Sequence, residues 1–568
     1  MKLLPILRNI GLHWRSFVIV LVPLLLMPLA LNQSKESKCG YVVLIMSVYW
    51  MTEAVPLPVT SLLPVVLFPL LGVLSTEEIC VCYLKETTMM FIGGLVVAIA
   101  VEHCNLHKRI ALKVLLLIGT SPRKLILGFM ITTMFLSMWI SNTASTAMMA
   151  PIATAVLDEL KSHESDSRRE RRRSSSTSLN KLNYNCETFD GETRRLSIVR
   201  PTVGRKPTKE EICYFLVIAY AANIGGTGTI TGTGTNLTFK GLFESIFPDA
   251  EGLNFAHWMI FNVPLMLING FLAWIWLQVL FLGLFRRKSE KNLKSSPEQS
   301  KVIRELIGRN YKDLGPMTYH EANVLVLFVL VVFLWFFRKP EFMPGWADIY
   351  DDVIIDDATA AMAVVFLLFV LPANLDFLKG GEVDRKSTPA LLNWKIVHEK
   401  VPWGLVLLLG GGFAMAAASK ASGLSRYLGR QLVSLEVLPP LAILVIICVA
   451  TTFLTEVSSN AAVANILLPV LAEMSTAIRI HPLYLMLPAT LSCSYAFMLP
   501  VATPSNAIVV ASSNIRTLDM MKAGIGMNLI CCASLILCFS TFGITLYDLD
   551  RFPEFAQNYL EAHNETGM

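Results

Sequence analysis

Long apolar runs, repeated along the whole chain, constrain this sequence more than any other feature. About eleven of them approach or exceed the ~20 residues that an α-helix needs to cross a bilayer. They lie near residues 16–31, 40–56, 58–74, 88–106, 212–239, 256–285, 320–337, 357–374, 401–419, 484–511 and 522–546. With 54% hydrophobic and 16% charged residues, the chain is too apolar for a soluble domain, in which about 25% are charged. We expect an all-α polytopic membrane protein, not an enzyme and not a nucleic-acid-binding protein.

Basic residues between the runs predict which segments face the cytoplasm. They precede the first run and recur in the loop 107–109 and in the segments 158–211 and 286–319. All of these fall on one side if the runs alternate in direction, and the positive-inside rule makes that side the cytoplasm. Because the segment 158–211 is rich in Ser and Arg and poor in apolar residues, we expect a flexible cytoplasmic insert there.

Acidic residues and glycosylation sequons mark the opposite side of the membrane. The loop 338–356 and the tail after residue 547 are acidic, and alternation places both outside. Asn32 and Asn564 begin N-x-S/T sequons in segments that also fall outside, so both are glycosylation candidates. We therefore predict a multi-pass plasma-membrane protein with a cytoplasmic N-terminus and an extracellular C-terminus.

An internal repeat gives the strongest functional signal. TTMFLSMWISNTA (132–144) matches ATTFLTEVSSNAA (450–462) at six of thirteen positions, with a constant offset of 318. Further along, TGTN (233–236) matches TPSN (503–506) at an offset of 270. The two copies start from opposite sides of the membrane, so the repeat is inverted. Inverted repeats are the architecture of secondary transporters, whose substrate site lies near the bilayer midplane.

The repeated motifs break the helices that contain them. The uncharged stretches 124–157 and 438–472 behave as re-entrant hairpins, with tips at 141–143 and 459–461. The run GGTGTITGTGTN (225–236) is too rich in glycine and threonine for a regular helix. Since no Lys or Arg occurs in 125–157 or 482–515, an anion bound here needs helix ends, polar donors and cations to balance its charge. Na⁺ is the natural co-ion for oxygen ligands. Glu53, Glu102, His103 and Glu456 lie in or beside spans and are further candidates.

Four motifs carry a resemblance that covers nearly the whole chain. They are VEHCNLHKRIAL (101–112), MWISNTA (138–144), EVSSNAA (456–462) and MLPVATPSNAIV (498–509). With them the chain resembles the divalent anion/sodium symporter family, in the branch of sodium-coupled di- and tricarboxylate transporters and Indy-like citrate carriers. The resemblance implies a homodimer in which each protomer has a scaffold domain and a transport domain that moves as an elevator.

The resemblance also implies which residues bind ions and substrate. A first Na⁺ would use Ser141 and Asn142, with carbonyl oxygens of Ser137 and Gly232. A second Na⁺ would use Asn460, with carbonyl oxygens of Thr455, Ser458 and Ala502. Substrate carboxylates would contact Asn142, Thr143 and Asn460, with Thr233, Thr503 and Ala461 nearby. No organic cofactor is implied.

Topology and resemblance together divide the chain into ten segments. These are a cytoplasmic N-terminus (1–15), scaffold helices (16–123), a first re-entrant hairpin (124–157), a cytoplasmic insert (158–211), transport-domain helices with a broken helix (212–285), a cytoplasmic linker (286–319), scaffold helices (320–437), a second re-entrant hairpin (438–472), transport-domain helices with a broken helix (473–547) and an extracellular tail (548–568).

The substrate prediction is a Krebs-cycle di- or tricarboxylate, such as citrate or succinate, moved across the plasma membrane and coupled to Na⁺. Ala461 stands where many members have Thr, which removes a hydroxyl and favours citrate or broad use of such anions. Three alternatives stay open: a sulfate/Na⁺ symporter, a Na⁺-independent carboxylate exchanger, and a membrane receptor or scaffold without transport.

Overall fold

The regular secondary structure of the part of the chain that the structure describes is helical. This computed structural model describes residues 13–119, 121–179, 207–250, 253–283, 297–340, 343–350, 353, 355–375, 388–432 and 437–565. Within them, the one pairing of extended segments is an isolated antiparallel bridge between Pro372 and Ala390. This agrees with the all-α class predicted from the sequence.

The two halves of the chain contain similar series of helices. Before residue 250 these are α1 (Trp14–Leu31), α2 (Lys35–Thr52), α3 (Leu57–Thr60), α4 (Leu63–Leu70), α5 (Thr76–Val81), α6 (Glu86–His103), α7 (Leu106–Ile118), α8 (Pro122–Ser137), α9 (Asn142–Leu179), α10 (Lys209–Gly225) and α11 (Gly234–Ile246). They continue with α12 (Phe255–Leu277), α13 (Pro297–Asp313), α14 (Tyr319–Phe336), α15 (Asp357–Val370), α16 (Trp394–Lys400), α17 (Trp403–Ser422) and α18 (Leu424–Leu432). The last are α19 (Pro440–Leu454), α20 (Asn460–Ala477), α21 (Pro482–Cys493), α22 (Pro504–Ser513), α23 (Thr517–Cys538) and α24 (Glu554–Glu565).

Seven described helical stretches are long and apolar enough to cross a membrane. They are Trp14–Leu31, Thr76–His103, Phe255–Leu282, Tyr319–Phe336, Trp403–Ser422, Asn460–Ala477 and Thr517–Leu546. Four shorter apolar stretches of 10–17 residues accompany them: Leu57–Leu70, Asp357–Val370, Pro440–Leu454 and Pro482–Cys493. The count of about eleven spans stays a prediction, since several apolar runs are divided between two helices.

The helices on either side of the four breaks pack into one body, which we call the broken-helix bundle. It contains α8 with α9, α10 with α11, α19 with α20, and α21 with α22. The two repeats interlock within it, because α9 and α10 pack against α22 while α11 packs against α20 and α21. This interlocking brings the breaks of both repeats together.

A second group of helices, the framework helices, surrounds one side of the bundle. It contains α2, α6, α14, α15 and α17, with α6 packed on both α14 and α15 and α17 packed on α2. Helices α6 and α17 also contact α11 of the bundle. Gly241 on α11 permits this approach, because an added Cβ would overlap the Phe413 ring on α17.

The prediction of a flexible insert from residue 158 is wrong for its first part. Helix α9 continues without interruption to Leu179. Residues 158–179 are charged and polar but include many straight-chain Glu, Lys and Arg side chains, which favour helix. The composition indicated exposure to solvent, and exposure does not require irregular structure. Residues 180–206 of the predicted insert lie outside the described residues.

Two terminal or linking segments contain helices that the sequence analysis did not foresee. In the linker 286–319, α13 packs on α7 and α9 and buries Ile303 and Ile307. In the tail 548–568, α24 packs on α20 and buries Ala556 and Tyr559. Both segments are amphipathic, so their apolar faces rest on the body of the protein while their charges remain outside.

The basic loop predicted at 107–109 is instead the first turn of α7. His107 and Arg109 are buried there, and only Lys108 of the three is exposed. The Arg109 guanidinium donates from Nε to Glu321 Oε1 at 3.2 Å and from Nη2 to Glu321 Oε2 at 3.0 Å. It also donates to the carbonyl oxygens of Leu314 and Gly315. A residue counted as a topology signal is therefore an anchor between α7 and α14.

Replacing Arg109 with Ala should strongly destabilise the protein, because it leaves the buried Glu321 carboxylate without its cation. Breaking a buried ion pair from one side costs about 3–5 kcal/mol. Thermal unfolding of the detergent-purified chain measures this. Lys108→Ala is the matched control, since it removes an exposed cation one residue away. Equal unfolding temperatures for the two variants would contradict the anchoring role.

Candidate functional site

A cavity of 570 Å³ lies where the breaks of the two repeats meet. Ten of the twelve residues predicted to bind ions or substrate line it: Ser141, Asn142, Thr143, Gly232, Thr233, Ser458, Asn460, Ala461, Ala502 and Thr503. The other two, Ser137 and Thr455, are fully buried and do not line it. The sequence motifs from four separate segments therefore converge on one space.

The predicted glycosylation residues lie away from this cavity. Asn32 follows the end of α1 and is exposed, and its amide donates to Ser37 Oγ at 3.1 Å. Asn564 falls in the last turn of α24, but its side chain and the sequon residue Thr566 lie outside the described residues. Glycosylation at both positions stays a prediction.

A larger cavity of 990 Å³ lies elsewhere and contains none of the repeated motifs. Its lining mixes acidic and basic side chains, including Lys85, Glu86, Glu244 and Arg338. Beside it, the buried Lys240 Nζ lies 3.3 Å from Asp357 Oδ2 and 3.2 Å from Glu244 Oε1. These opposite charges largely neutralise one another. The smaller cavity is the better candidate because the repeat places polar, uncharged groups there.

Each repeat uses a buried hydroxyl to hold the asparagine at its tip. Ser137 Oγ donates to Asn142 Oδ1 at 2.6 Å and is 2.8 Å from the carbonyl oxygen of Ala222. In the second repeat, Thr455 Oγ1 is 2.6 Å from Asn460 Oδ1 and 2.8 Å from the carbonyl oxygen of Cys493. Because each hydroxyl fixes the amide oxygen, the Nδ2 donor of each asparagine is oriented by its own repeat.

A second pair of asparagines ties each broken helix together. Asn236 Nδ2 donates to the carbonyl oxygens of Gly226 and Thr229, at 3.0 and 2.8 Å. Asn506 Nδ2 donates to the carbonyl oxygens of Ala496 and Leu499, both at 3.0 Å. These six positions correspond at the offset of 270 that relates the two motifs. The second breaks are therefore the same local structure formed twice.

The TGTN and TPSN motifs are recognisable in the sequence, but their asparagines were not among the predicted site residues. Their repetition at a fixed offset was the signal that could have identified them. Asn223 was also missed: its Nδ2 donates to the Ala496 carbonyl oxygen at 3.1 Å, and the residue lines the cavity. Its counterpart at the offset of 270 is Cys493, so the repeat gives no signal for it.

Four helices begin at the cavity. α9 starts at Asn142, α20 at Asn460, α11 at Gly234 and α22 at Pro504, and all four residues line the cavity. A helix N-terminus carries a partial positive charge of roughly +0.5 and unpaired backbone N–H groups. The convergence of four such ends provides positive potential and donors for an anion without Lys or Arg.

The breaks also leave carbonyl oxygens free for a cation. Within the described residues, none of the carbonyl oxygens that the resemblance assigns to sodium accepts a hydrogen bond; these belong to Ser137, Gly232, Thr455, Ser458 and Ala502. The Ser458 hydroxyl is buried and has no hydrogen-bond partner among the described residues. Uncharged oxygen ligands at the ends of half-helices suit Na⁺. The residues present therefore fit two sodium ions.

Among the described residues that line the cavity, Glu53 alone is charged. It follows the end of α2 with a φ of 48°, a left-handed conformation, and belongs to the framework side of the cavity. Two other ionisable candidates have different surroundings. Lys400 Nζ lies 2.5 Å from Glu102 Oε1, and the His103 ring lies edge-on to His320 at 5.9 Å between centroids.

One glycine is required by the position of Asn142. A Cβ added at Gly226 would lie 2.6 Å from Asn142 Oδ1 and 3.1 Å from its Nδ2. The first distance is too short for a contact with carbon and the second is tight, so a side chain at this position would displace the asparagine. The glycine-rich run therefore has a direct steric role in the site.

Comparison with known proteins finds a family model and relatives that each match nearly the whole chain. A model of the sodium:sulfate symporter transmembrane region matches residues 11–549. The chain is 46% identical over 561 residues to Protein I'm not dead yet of Drosophila melanogaster, covering 97% of this chain and 92% of that protein. It is 43% identical over 566 residues to the Na(+)/citrate cotransporter of Mus musculus, covering 96% and 97%. It is 42% identical over 571 residues to the human Na(+)/dicarboxylate cotransporter 3, covering 96% and 94%.

Substituting Gly226 with Ala should abolish ligand binding by displacing Asn142, at a packing cost of about 1–3 kcal/mol. Gly308→Ala is the matched control, because an added Cβ there meets nothing within 4 Å. The measurement is the rise in unfolding temperature that citrate with NaCl gives to the purified protein. We expect this rise in the wild type and the control only. A full rise in Gly226→Ala would contradict the steric argument.

Proposed function

Because this chain belongs to the sodium:sulfate symporter family, we propose that it carries Krebs-cycle di- and tricarboxylates, such as citrate and succinate, together with Na⁺ across the plasma membrane. The observation that carries this proposal is the cavity itself. Two repeats place oriented asparagine amides and four helix N-termini around one space, with free carbonyl oxygens beside it, and no Lys or Arg is among the described residues that line it. That combination suits an anion and cations bound together.

The proposed anion site lies between the two helix tips. Asn142 and Thr143 on one side and Asn460 on the other would donate to carboxylate oxygens, and Thr233 and Thr503 lie at the starts of α11 and α22. A volume of 570 Å³ falls within the range of small-molecule sites, about 300–1,000 Å³. Ala461 leaves room beside Asn460 for a third carboxylate, which favours citrate.

The proposed sodium ions lie behind the anion, one in each repeat. Ser137, Ser141, Asn142 and Gly232 would hold the first, and Thr455, Ser458, Asn460 and Ala502 the second. Bound Na⁺ would offset the charge of the anion, because each ion would bring positive charge to a site whose described lining residues include no cationic side chain. An anion without Na⁺ would be costly to hold there. This mutual dependence is the physical basis of the proposed coupling.

We further propose that the broken-helix bundle is a transport domain that moves as an elevator against a scaffold formed by the framework helices. The cavity supports this, since its lining includes Glu53 and Leu405 of the framework side as well as both helix tips. Lys240 of the bundle lies near Glu86 and Asp357 of the framework helices. Such a movement would therefore require these ion pairs to exchange partners.

The remaining predictions about assembly and orientation belong to the same proposal. The stretches 124–157 and 438–472 would be re-entrant hairpins that enter the membrane from opposite sides. The protein would be a homodimer with a cytoplasmic N-terminus and an extracellular C-terminus, glycosylated at Asn32 and Asn564. The charges of the connecting segments support this orientation.

Uptake of labelled citrate into cells expressing the chain tests the proposed function. We expect uptake with external Na⁺, little uptake when choline replaces Na⁺, and inhibition by succinate but not by sulfate. Asn142→Ala and Asn460→Ala should each reduce uptake at low citrate by at least about tenfold, because each removes a donor and an oxygen ligand. Asn323→Ala is the control, since that amide bonds to its own helix at Tyr319.

The other outcomes identify the alternatives. Uptake of citrate that does not depend on external Na⁺ would indicate a carboxylate exchanger and would contradict the proposed coupling to Na⁺. Sulfate uptake without citrate or succinate uptake would indicate a sulfate symporter. If no anion is taken up and neither asparagine matters, a receptor or scaffold remains and transport is excluded.

A further inference from the structure

Glu456 is a buried carboxylate beside the proposed second sodium site. It follows Thr455 in the break between α19 and α20, and only 3% of its surface is exposed. Within the described residues it makes no ion pair with Lys, Arg or His. Burial without a cationic partner among the described residues makes the ionised form of this carboxylate energetically costly unless other donors stabilise it.

Backbone and amide donors surround this carboxylate completely. Glu456 Oε1 accepts from the backbone N–H groups of Phe497 and Met498, at 2.7 and 2.9 Å. Oε2 accepts from the N–H groups of Met498 and Leu499, both at 3.0 Å. Asn528 Nδ2 donates to Oε1 at 2.8 Å. Because every partner is an N–H donor and none is an acceptor for a carboxyl proton, the arrangement matches the ionised form.

These bonds join three separate elements. Glu456 lies in the break of the second helix tip, the three N–H groups belong to the break between α21 and α22, and Asn528 lies on α23. The neighbouring bonds extend the same connection, because Thr455 holds Asn460 and Asn506 holds the Leu499 carbonyl. The carboxylate thus fixes the two breaks whose carbonyl oxygens are the proposed ligands of the second Na⁺.

The first repeat lacks this carboxylate. The position 318 residues earlier is Met138, an apolar residue. There the corresponding break is held by uncharged bonds: the Thr229 hydroxyl donates to the Met138 carbonyl oxygen, and Trp258 Nε1 donates to the Thr227 carbonyl oxygen at 3.1 Å. The two proposed sodium sites therefore share a tip asparagine, but only the second has a buried carboxylate beside it.

We propose that Glu456 is a positioning residue that gives the second sodium site a higher affinity for Na⁺ than the first, so that Na⁺ binds there first. It acts in two ways. It holds the backbone on both sides of the second site in one arrangement, and no cationic side chain of the described residues pairs with it to offset its negative charge. The inference rests on the proposed function, because it concerns sodium that the transport cycle uses.

The test compares the Na⁺ dependence of citrate uptake in full-length variants. Glu456→Gln keeps the shape of the side chain but removes its charge. It also replaces one carboxylate oxygen, which accepts hydrogen bonds from the N–H groups, with an NH₂ group that can only donate. We expect the half-activating Na⁺ concentration to rise about tenfold, with the KM for citrate at saturating Na⁺ changing by no more than about twofold. Glu473→Gln is the matched control: this buried carboxylate on α20 bonds to Tyr559, outside the cavity.

A second variant keeps the inference testable if Glu456→Gln does not fold. Asn528→Ala removes one donor and leaves the charge in place, and it should raise the half-activating Na⁺ concentration about threefold. Glu456→Asp keeps the charge on a shorter side chain and should recover part of the Na⁺ affinity that Glu456→Gln loses.

The outcomes separate this inference from the proposed function. Unchanged Na⁺ activation in both Glu456→Gln and Asn528→Ala would overturn the inference while leaving transport intact. Equal loss of Na⁺ and citrate affinity would also overturn it, because it would indicate general damage to the site. A wild-type protein without Na⁺-activated uptake would overturn both proposals together.

Discussion

The rest of this structure depends on the hydrogen bonds that asparagine side-chain amides donate to backbone carbonyl oxygens where the helices are interrupted. A helix that stops inside a bilayer leaves N–H and C=O groups with no water to bind, and each costs several kcal/mol if left unpaired. Asn236 and Asn506 each donate to two carbonyl oxygens across a break. The breaks are therefore stable structures, and the groups that remain free lie beside the cavity.

Charge balance follows from the same breaks. Helix starts at the cavity create positive potential that suits an anion, and the free carbonyl oxygens beside them are the proposed ligands of the cations. The chain therefore needs no Lys or Arg in the cavity, where a fixed cation would hold the anion without sodium. Among the described residues, the acidic Glu53 lines this site and the acidic Glu456 lies beside it; under the proposed function, both would increase the dependence of anion binding on sodium.

Much of the candidate site could be predicted because it is encoded twice. The matched motifs at constant offsets identified Asn142 and Asn460, and the structure places both at one cavity at the starts of their helices. The long apolar runs and the low content of charged residues also predicted the all-α class that the described residues have. Where a motif had no counterpart, prediction failed: Asn223 lines the cavity, but the corresponding position is Cys493.

Local composition was the less reliable guide, because it does not reveal long-range partners. The sequence around Arg109 predicts a basic loop, because its partner Glu321 lies more than 200 positions later and only the fold brings the two together. The helix in the first part of the predicted insert was missed because polar composition does not determine the backbone conformation. Glu456 was one ionisable candidate among four, and its bonds to three backbone N–H groups required the fold to bring two breaks together.

Density maps of the purified protein in NaCl and in choline chloride would test the central claim most directly, which is that the free carbonyl oxygens of the breaks are sodium ligands. The account predicts two density peaks in NaCl. One would contact the carbonyl oxygens of Ser137 and Gly232, the other those of Thr455, Ser458 and Ala502, and both would be absent in choline chloride. Identical maps in the two salts, or continuous helices through the four breaks, would contradict it.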